Sequence, residues 1–177
     1  MRGVTHFSAG IAIGTILGVA AGHPVVSAVV GGIASIAPDL DHPGSWLGRL
    51  LRPLAVWMEE KLGHREATHT LMFCIPAGFV VGLIPAVIFD KQIFILAGIL
   101  GAVSHLVMDA ATKTGVRPFR VYLPRANMPG WNKIVDKVDK LTAKHYKGGA
   151  AVGKSKRLER VITGACWTIT VLLILFS

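Results

Sequence analysis

Histidines and aspartates stand at four places in this 177-residue chain, each beside a long apolar stretch. They are His6; Asp39, Asp41 and His42 in the run Pro38-Asp39-Leu40-Asp41-His42; His64 and His69 in Gly63-His64-Arg65-Glu66-Ala67-Thr68-His69; and His105 and Asp109 in Ser104-His105-Leu106-Val107-Met108-Asp109. Imidazole and carboxylate together make donor sets for Zn²⁺, with Mn or Fe as alternatives. His105 and Asp109 are four apart, so on a helix they project from one face and reach one ion or two adjacent ones. The competing reading is a buried polar pair that joins helices. Asp39 and Asp41 are alternate carboxylates after Pro38, whose entry is extended and turn-like. A simple Asp helix cap would need one of them, not two and a histidine. Thr68 reads as a helix cap and Glu66 as a solvated acid. Arg65 reads as a bidentate clamp for an oxyanion, with a headgroup anchor as its alternative. Eight donors exceed the four of one structural zinc site, which points to two or more divalent ions. Such sites clamp attacking and leaving oxygens and lower the pKa of bound water to ~7. Hydrolysis, above all of a phosphoester, is the chemistry they suit.

Composition indicates what must position these groups. The chain is 52% hydrophobic and 16% charged, with a mean hydropathy of +0.55, where a soluble domain carries roughly 25% charged residues. The expectation is an all-α integral membrane protein, a single domain over residues 1–177. Apolar segments run from about Phe7 to Gly22, Pro24 to Ala37, Leu71 to Phe89, Ile93 to Ala111 and Val161 to Phe176. A span takes ~20 residues, so the first two, joined by Gly22-His23-Pro24, read as a short-legged hairpin or as spans that tilt little in a locally thinned bilayer, rich in small residues that permit close packing. Trp46 to Leu62 reads as an amphipathic interfacial helix anchored by Trp46 and Trp57 and kinked or restarted at Pro53. The stretch from about 112 to 160 is a basic loop, with helical spacing over Trp131 to His145 and a Gly-rich tract at Gly148 to Gly153 that reads as mobile.

With five spans, Arg2, the 38–70 loop and the 112–160 loop share one side. That side holds all but Lys91 of the 19 Lys and Arg residues, and the positive-inside rule makes it the cytoplasmic face of the cytoplasmic membrane. The candidate ligands fall on the same side, although nothing in the charge count required it. His23 falls on the far side and His145 in the basic loop, and neither joins the set. Cys74 and Cys166 sit in apolar runs without a C-x-x-C pairing, so they read as core residues. Arg2 before an apolar stretch, with Val26-Ser27-Ala28, imitates a signal peptide, but the stretch is Gly-rich and cleavage would discard His6. The net charge of +9 suits anionic lipid headgroups.

The order T-H (Thr5-His6), P-D-x-D-H-P (Pro38 to Pro43), G-H-R-x-x-T-H (Gly63 to His69) and S-H-x-x-x-D-x-x-T-x-x-G-V-x-P (Ser104 to Pro118) resembles the YdjM family of inner-membrane, metal-dependent hydrolases. The likeness covers about residues 1–120 and resumes near Leu158-Glu159-Arg160. Glu66 and Thr70 stand where the family usually has Gly and Ser. Its Gly-Ser-x-x-Glu pattern has its counterpart in Ser155 to Glu159, which leaves Glu159 as a candidate. The family is similar, distantly, to zinc-dependent phospholipase C and the single-strand zinc nucleases. That relation implies a helical phosphodiesterase-like site with several zinc ions, held here by His6, Asp39, Asp41, His42, His64, His69, His105 and Asp109.

The expected activity is hydrolysis of a lipid or lipid-linked phosphoester at the cytoplasmic interface. Asp39 or Asp41 would act as general base, and Arg65, with Lys113 or Arg117 behind it, would hold the anionic substrate. The rivals are a non-catalytic metal-binding membrane protein (an ion carrier or assembly factor) and a membrane-anchored nuclease. A carrier needs polar groups along its path, and the segment interiors are apolar. Phe119, Tyr122, Trp131 and Tyr146 among the loop cations permit base stacking, but headgroup binding explains them more simply, so nucleic acid is not the expected partner.

Overall fold

A computed structural model describes residues 2–62, 66–148 and 155–177. His64 and Arg65, and residues 149–153 of the Gly-rich tract, lie outside the described residues. Among the described residues the chain is all-helical apart from one isolated Val116–Tyr146 bridge. Five helices are long and apolar enough to cross a membrane. They are α1 (Gly3–Ala21), α2 (Pro24–Ile36, extended by a 3₁₀ turn over Ala37–Asp41), α5 (Leu71–Phe89), α6 (Ile93–Ala110) and α8 (Lys156–Leu175). Between α2 and α5 lie α3 (Trp46–Leu50) and α4 (Arg52–Leu62), and α7 (Trp131–Thr142) lies in the basic loop.

Small residues decide how the spans pack. Gly22, at φ 74°, closes α1 in the left-handed region and turns the chain into α2. A Cβ on Gly10 would overlap the Gly31 carbonyl oxygen, and one on Gly78 would overlap that of Gly98. Backbones therefore touch along α1–α2 and along α5–α6, the close approach by which helices associate where no hydrophobic effect drives them together. The pairs join through α2 and α6, with Ala34, Cys74, Ala102 and Leu106 in one buried cluster. Pro76 and Pro85 lie inside α5 without ending it, as spanning helices tolerate. Helix α8 packs on α1 and is otherwise largely exposed.

Helix α1 starts at Gly3 rather than near Phe7, because Thr5 and His6 are buried among partners instead of leading in from water. Helix α8 starts at Lys156 rather than Val161, because the Ser155 hydroxyl accepts from the Leu158 N–H at 3.2 Å and caps a polar first turn. The expected interfacial helix is two helices, broken at Leu51 and restarted with Pro53 in its first turn. Its apolar residues Trp46, Leu50, Leu51, Leu54 and Trp57 stay exposed, as a helix lying in a lipid interface requires. The basic loop is tied to the spans by backbone bonds from Leu71 N–H to Pro118 C=O at 2.8 Å and from Gly148 N–H to Thr112 C=O at 3.1 Å.

Candidate metal centre

Three helix ends and one turn meet at one pole of the bundle. The first turns of α1 bring His6, the 3₁₀ turn brings Asp39 and Asp41, the entry to α5 brings His69, and the last turns of α6 bring His105 and Asp109. His6, Asp41, His69, His105 and Asp109 are each at most 1% exposed. Asp39 alone reaches outward, its side chain 19% exposed.

The Nε2 atoms of His69 and His105 each lie close to oxygens of Asp39 and Asp109. His105 Nε2 lies 3.1 Å from His69 Nε2, 3.5 Å from Asp39 Oδ1 and 3.7 Å from Asp109 Oδ2. His69 Nε2 lies 3.6 Å from both of those carboxylate oxygens. A tetrahedral zinc with ligands at ~2.0–2.2 Å has donor separations of about 3.3–3.6 Å, so the 3.1–3.6 Å separations within Asp39, His69 and His105 suit such an ion. The other Asp109 oxygen, Oδ1, is 3.4 Å from His6 Nε2, and the His6 and His105 rings stack at 3.8 Å. The donors thus form two overlapping triads, His6–His105–Asp109 and Asp39–His69–His105, each of which could hold a metal ion.

Behind the donors, polar partners fix the rings. His105 Nδ1–H donates to the Ser35 carbonyl at 2.7 Å, which leaves Nε2 with its lone pair facing the cluster. His69 Nδ1 is 3.0 Å from the Thr68 hydroxyl and 3.7 Å from Asp41 Oδ2. The Thr68 hydroxyl donates to that same Asp41 oxygen at 2.5 Å. Asp41 therefore stands on the Nδ1 side of His69, away from the Nε2 atom that faces Asp39 and Asp109. Burial disfavours the His69 imidazolium, but Asp39 and Asp41 outweigh it and raise its pKa to about 8. His6 Nδ1 is buried and makes no hydrogen bond, which is costly unless a ligand or water meets it.

His42 stands apart from the cluster, half exposed, with Nδ1 3.2 Å from Glu59 Oε1. Thr68 does not cap α5: the cap position is Thr70, and the Thr68 hydroxyl is committed to Asp41. Nor does an aspartate cap the interfacial helix, since the Ser45 hydroxyl accepts from Gly48 N–H at 2.8 Å. Glu66 is not a solvated acid. It accepts from the Arg117 guanidinium at 3.3 Å, from Arg120, and from the Tyr122 hydroxyl at 2.7 Å. Arg117, expected behind the substrate, is thereby tied to Glu66, while Lys113 is exposed. Burial and the Glu66 carboxylate push the Tyr122 phenol up. Sequence reasoning also passed over the Ser35 carbonyl, for which no residue type gives a signal. It passed over the second-rank role of Thr68, which its place next to His69 does signal. His23 lies at the other pole, against Phe89 and Phe94.

The family model described as YdjM inner membrane protein matches residues 1–177. The chain is 36% identical over 132 residues to the uncharacterized protein YvsG of Bacillus subtilis (strain 168), which covers 70% of this chain and 79% of that protein. It is 33% identical over 96 residues to inner membrane protein YdjM of Escherichia coli (strain K12) and of Shigella flexneri, 53% of this chain and 47% of each relative. The match thus spans about half the length of those two relatives. No solved structure matches.

Proposed function

The chain belongs to the YdjM inner membrane protein family, and on that premise we propose that it is a metal-dependent hydrolase. Its substrate would be a phosphoester of a lipid or lipid-linked compound, met at the cytoplasmic face of the membrane. The observation that carries the reading is the convergence of His6, Asp39, His69, His105 and Asp109 at the helix ends, with Asp39 alone reaching outward. Buried ionisable groups at span ends are costly and mark function.

Zn²⁺, or Mn or Fe in its place, would be held by Asp39, His69 and His105, with His6 and Asp109, beside the shared His105, available to a further ion. When bound, such ions polarise a phosphoryl oxygen and acidify water. The chain's own residues do the rest. Ser35 and Thr68 orient the two imidazoles. Asp41 receives the Thr68 hydroxyl proton bond and stabilises the Nδ1 side of His69. Asp39, the partly exposed carboxylate, is the group able to accept a proton from an entering nucleophile. Gly-lined helix contacts keep the donors on a rigid frame.

The basic loop gives little support to a nuclease. Arg117 and Arg120 bind Glu66, Arg120 also binds Asp139, and Arg125 binds Asp136 at 2.7 Å. These cations serve the fold before any backbone phosphate. The test is metal content by mass spectrometry and phosphoester turnover on detergent-purified protein, wild type beside His105→Ala/Asp109→Ala. The reading expects about two zinc, manganese or iron ions per chain, lost together with turnover in the variant. A folded wild type that stays metal-free after added Zn²⁺ and Mn²⁺ would sink it.

A further inference from the structure

The donor cluster is nearly closed, and what opens onto it is a cavity of about 390 Å³ whose lining includes Arg2, Ile36, Asp39, Ser45, Trp46 and Arg49. Its size falls within the ~300–1,000 Å³ of small-molecule sites. Asp39 belongs both to this lining and to the cluster, so the cavity is a way in to the centre. Two arginines line it, brought by different elements. Arg49 comes from α3 and makes no ion pair among the described residues. Arg2 precedes α1, and its Nε is 3.4 Å from Glu159 Oε2.

Glu159 is unusual for a first-turn helix residue. Its side chain is 7% exposed, while the Arg2 side chain it meets is 53% exposed. Arg2 lines this cavity and, together with Glu159, a second one beside α8, so the ion pair ties α8 to the Arg2 end of the cavity. The contact uses Nε, and among the described residues the Nη donors of the Arg2 fork have no acceptor. Trp46 in the same lining, with the exposed Leu50, Leu51 and Trp57 nearby in sequence, sets the cavity at headgroup depth.

We propose that Arg2 and Arg49 form a phosphate-binding subsite at the mouth of the centre, with Glu159 as a positioning residue that holds Arg2 over it. The inference rests on the hydrolase reading and specifies where that substrate's anionic group docks. The ligand is a phosphate group, carried by a lipid headgroup or by a soluble phosphate. Planar guanidinium forks suit its oxygens better than lysines would.

The test measures binding to the detergent-purified full chain of dihexanoyl phosphatidic acid, dihexanoylglycerol and inorganic phosphate, with metal content in parallel. Arg49→Ala and Arg2→Ala should each weaken phosphatidic acid binding by at least about tenfold, as loss of a charged hydrogen bond does, while metal content stays at the wild-type value. Dihexanoylglycerol should be indifferent to both changes. Equal weakening for inorganic phosphate assigns the subsite to free phosphate, and weakening confined to phosphatidic acid assigns it to a headgroup. Either outcome sustains the subsite. Glu159→Gln should weaken binding in the wild-type background and add nothing in Arg2→Ala. An equal effect in both backgrounds overturns the positioning role. Wild-type binding by both arginine variants, at unchanged metal content, overturns the subsite and leaves the hydrolase reading standing. Loss of metal from the wild type strikes that reading instead.

Discussion

Two polar networks sit at the same pole of the bundle and differ in kind. In the buried cluster, the described partners of Asp39, Asp41 and Asp109 are imidazoles and the Thr68 hydroxyl. In the loop network, Glu66 and Asp139 meet the guanidinium groups of Arg117 and Arg120, with side chains 20–43% exposed. The second set balances permanent charges beside water, with two carboxylates to two guanidinium groups, and leaves only Arg117 Nε without an acceptor among its described residues. The first buries three carboxylates against rings that are neutral when they ligate metals, and a buried charge is stable only when compensated. An excess of buried anionic and lone-pair donors marks a place for a cation, whereas a balanced surface set marks a brace.

The comparison breaks most sharply at His105, which belongs to both triads. His105→Ala should remove bound metal and turnover while the protein still inserts, read by mass spectrometry and a phosphoester assay. The metal affinity lost should exceed the about 10–100-fold that an outer hydrogen-bond partner costs. Retention of full metal content would show that the cluster is a structural polar core. Chelation comes next: stripping metal from the wild type should lower its melting temperature, because ligand binding at a hundred times Kd stabilises by about 2.7 kcal/mol. An unchanged melting curve counts against the cation.

Thr68→Val tests the support behind His69. It should cost about 10–100-fold in metal affinity by chelator competition, with Thr68→Ser close to wild type. The loop network should respond least. Arg120→Gln should cost no more than about 1 kcal/mol in denaturant unfolding, since pairs this exposed are worth ~0–1 kcal/mol, and should leave metal content untouched. Arg120 holds the Asp139 carboxyl below its usual range. The sign follows: this small stability is present above the ordinary carboxylate pKa and fades as pH falls through the lowered one. A loss of metal in Arg120→Gln would erase the distinction between the two networks.

Much of this was legible because each signal is local. The apolar segments give their lengths directly, and α5 runs over Leu71–Phe89 as read. Four-residue spacing on one helix put His105 and Asp109 on a common face before any fold was known. Less legible were residues whose role depends on what crosses over them. Glu66 looked solvated because its partners Arg117, Arg120 and Tyr122 come from a loop more than fifty positions away. His42, adjacent to Asp41, followed it into the expected ligand set, yet the chain turns extended there and sends it outward to Glu59.

By itself the sequence determined which side chains could do chemistry and which segments could cross a membrane, because hydropathy and helical period act along the chain. Only the tertiary structure decided which donors share a point and which stand behind them. Those distances depend on helix ends brought together by close glycine contacts, on the Ser35 carbonyl reaching His105 and on Thr68 bridging Asp41 and His69. Such contacts join residues remote in the chain, and no pattern along one strand of sequence fixes a separation of 3 to 4 Å between them.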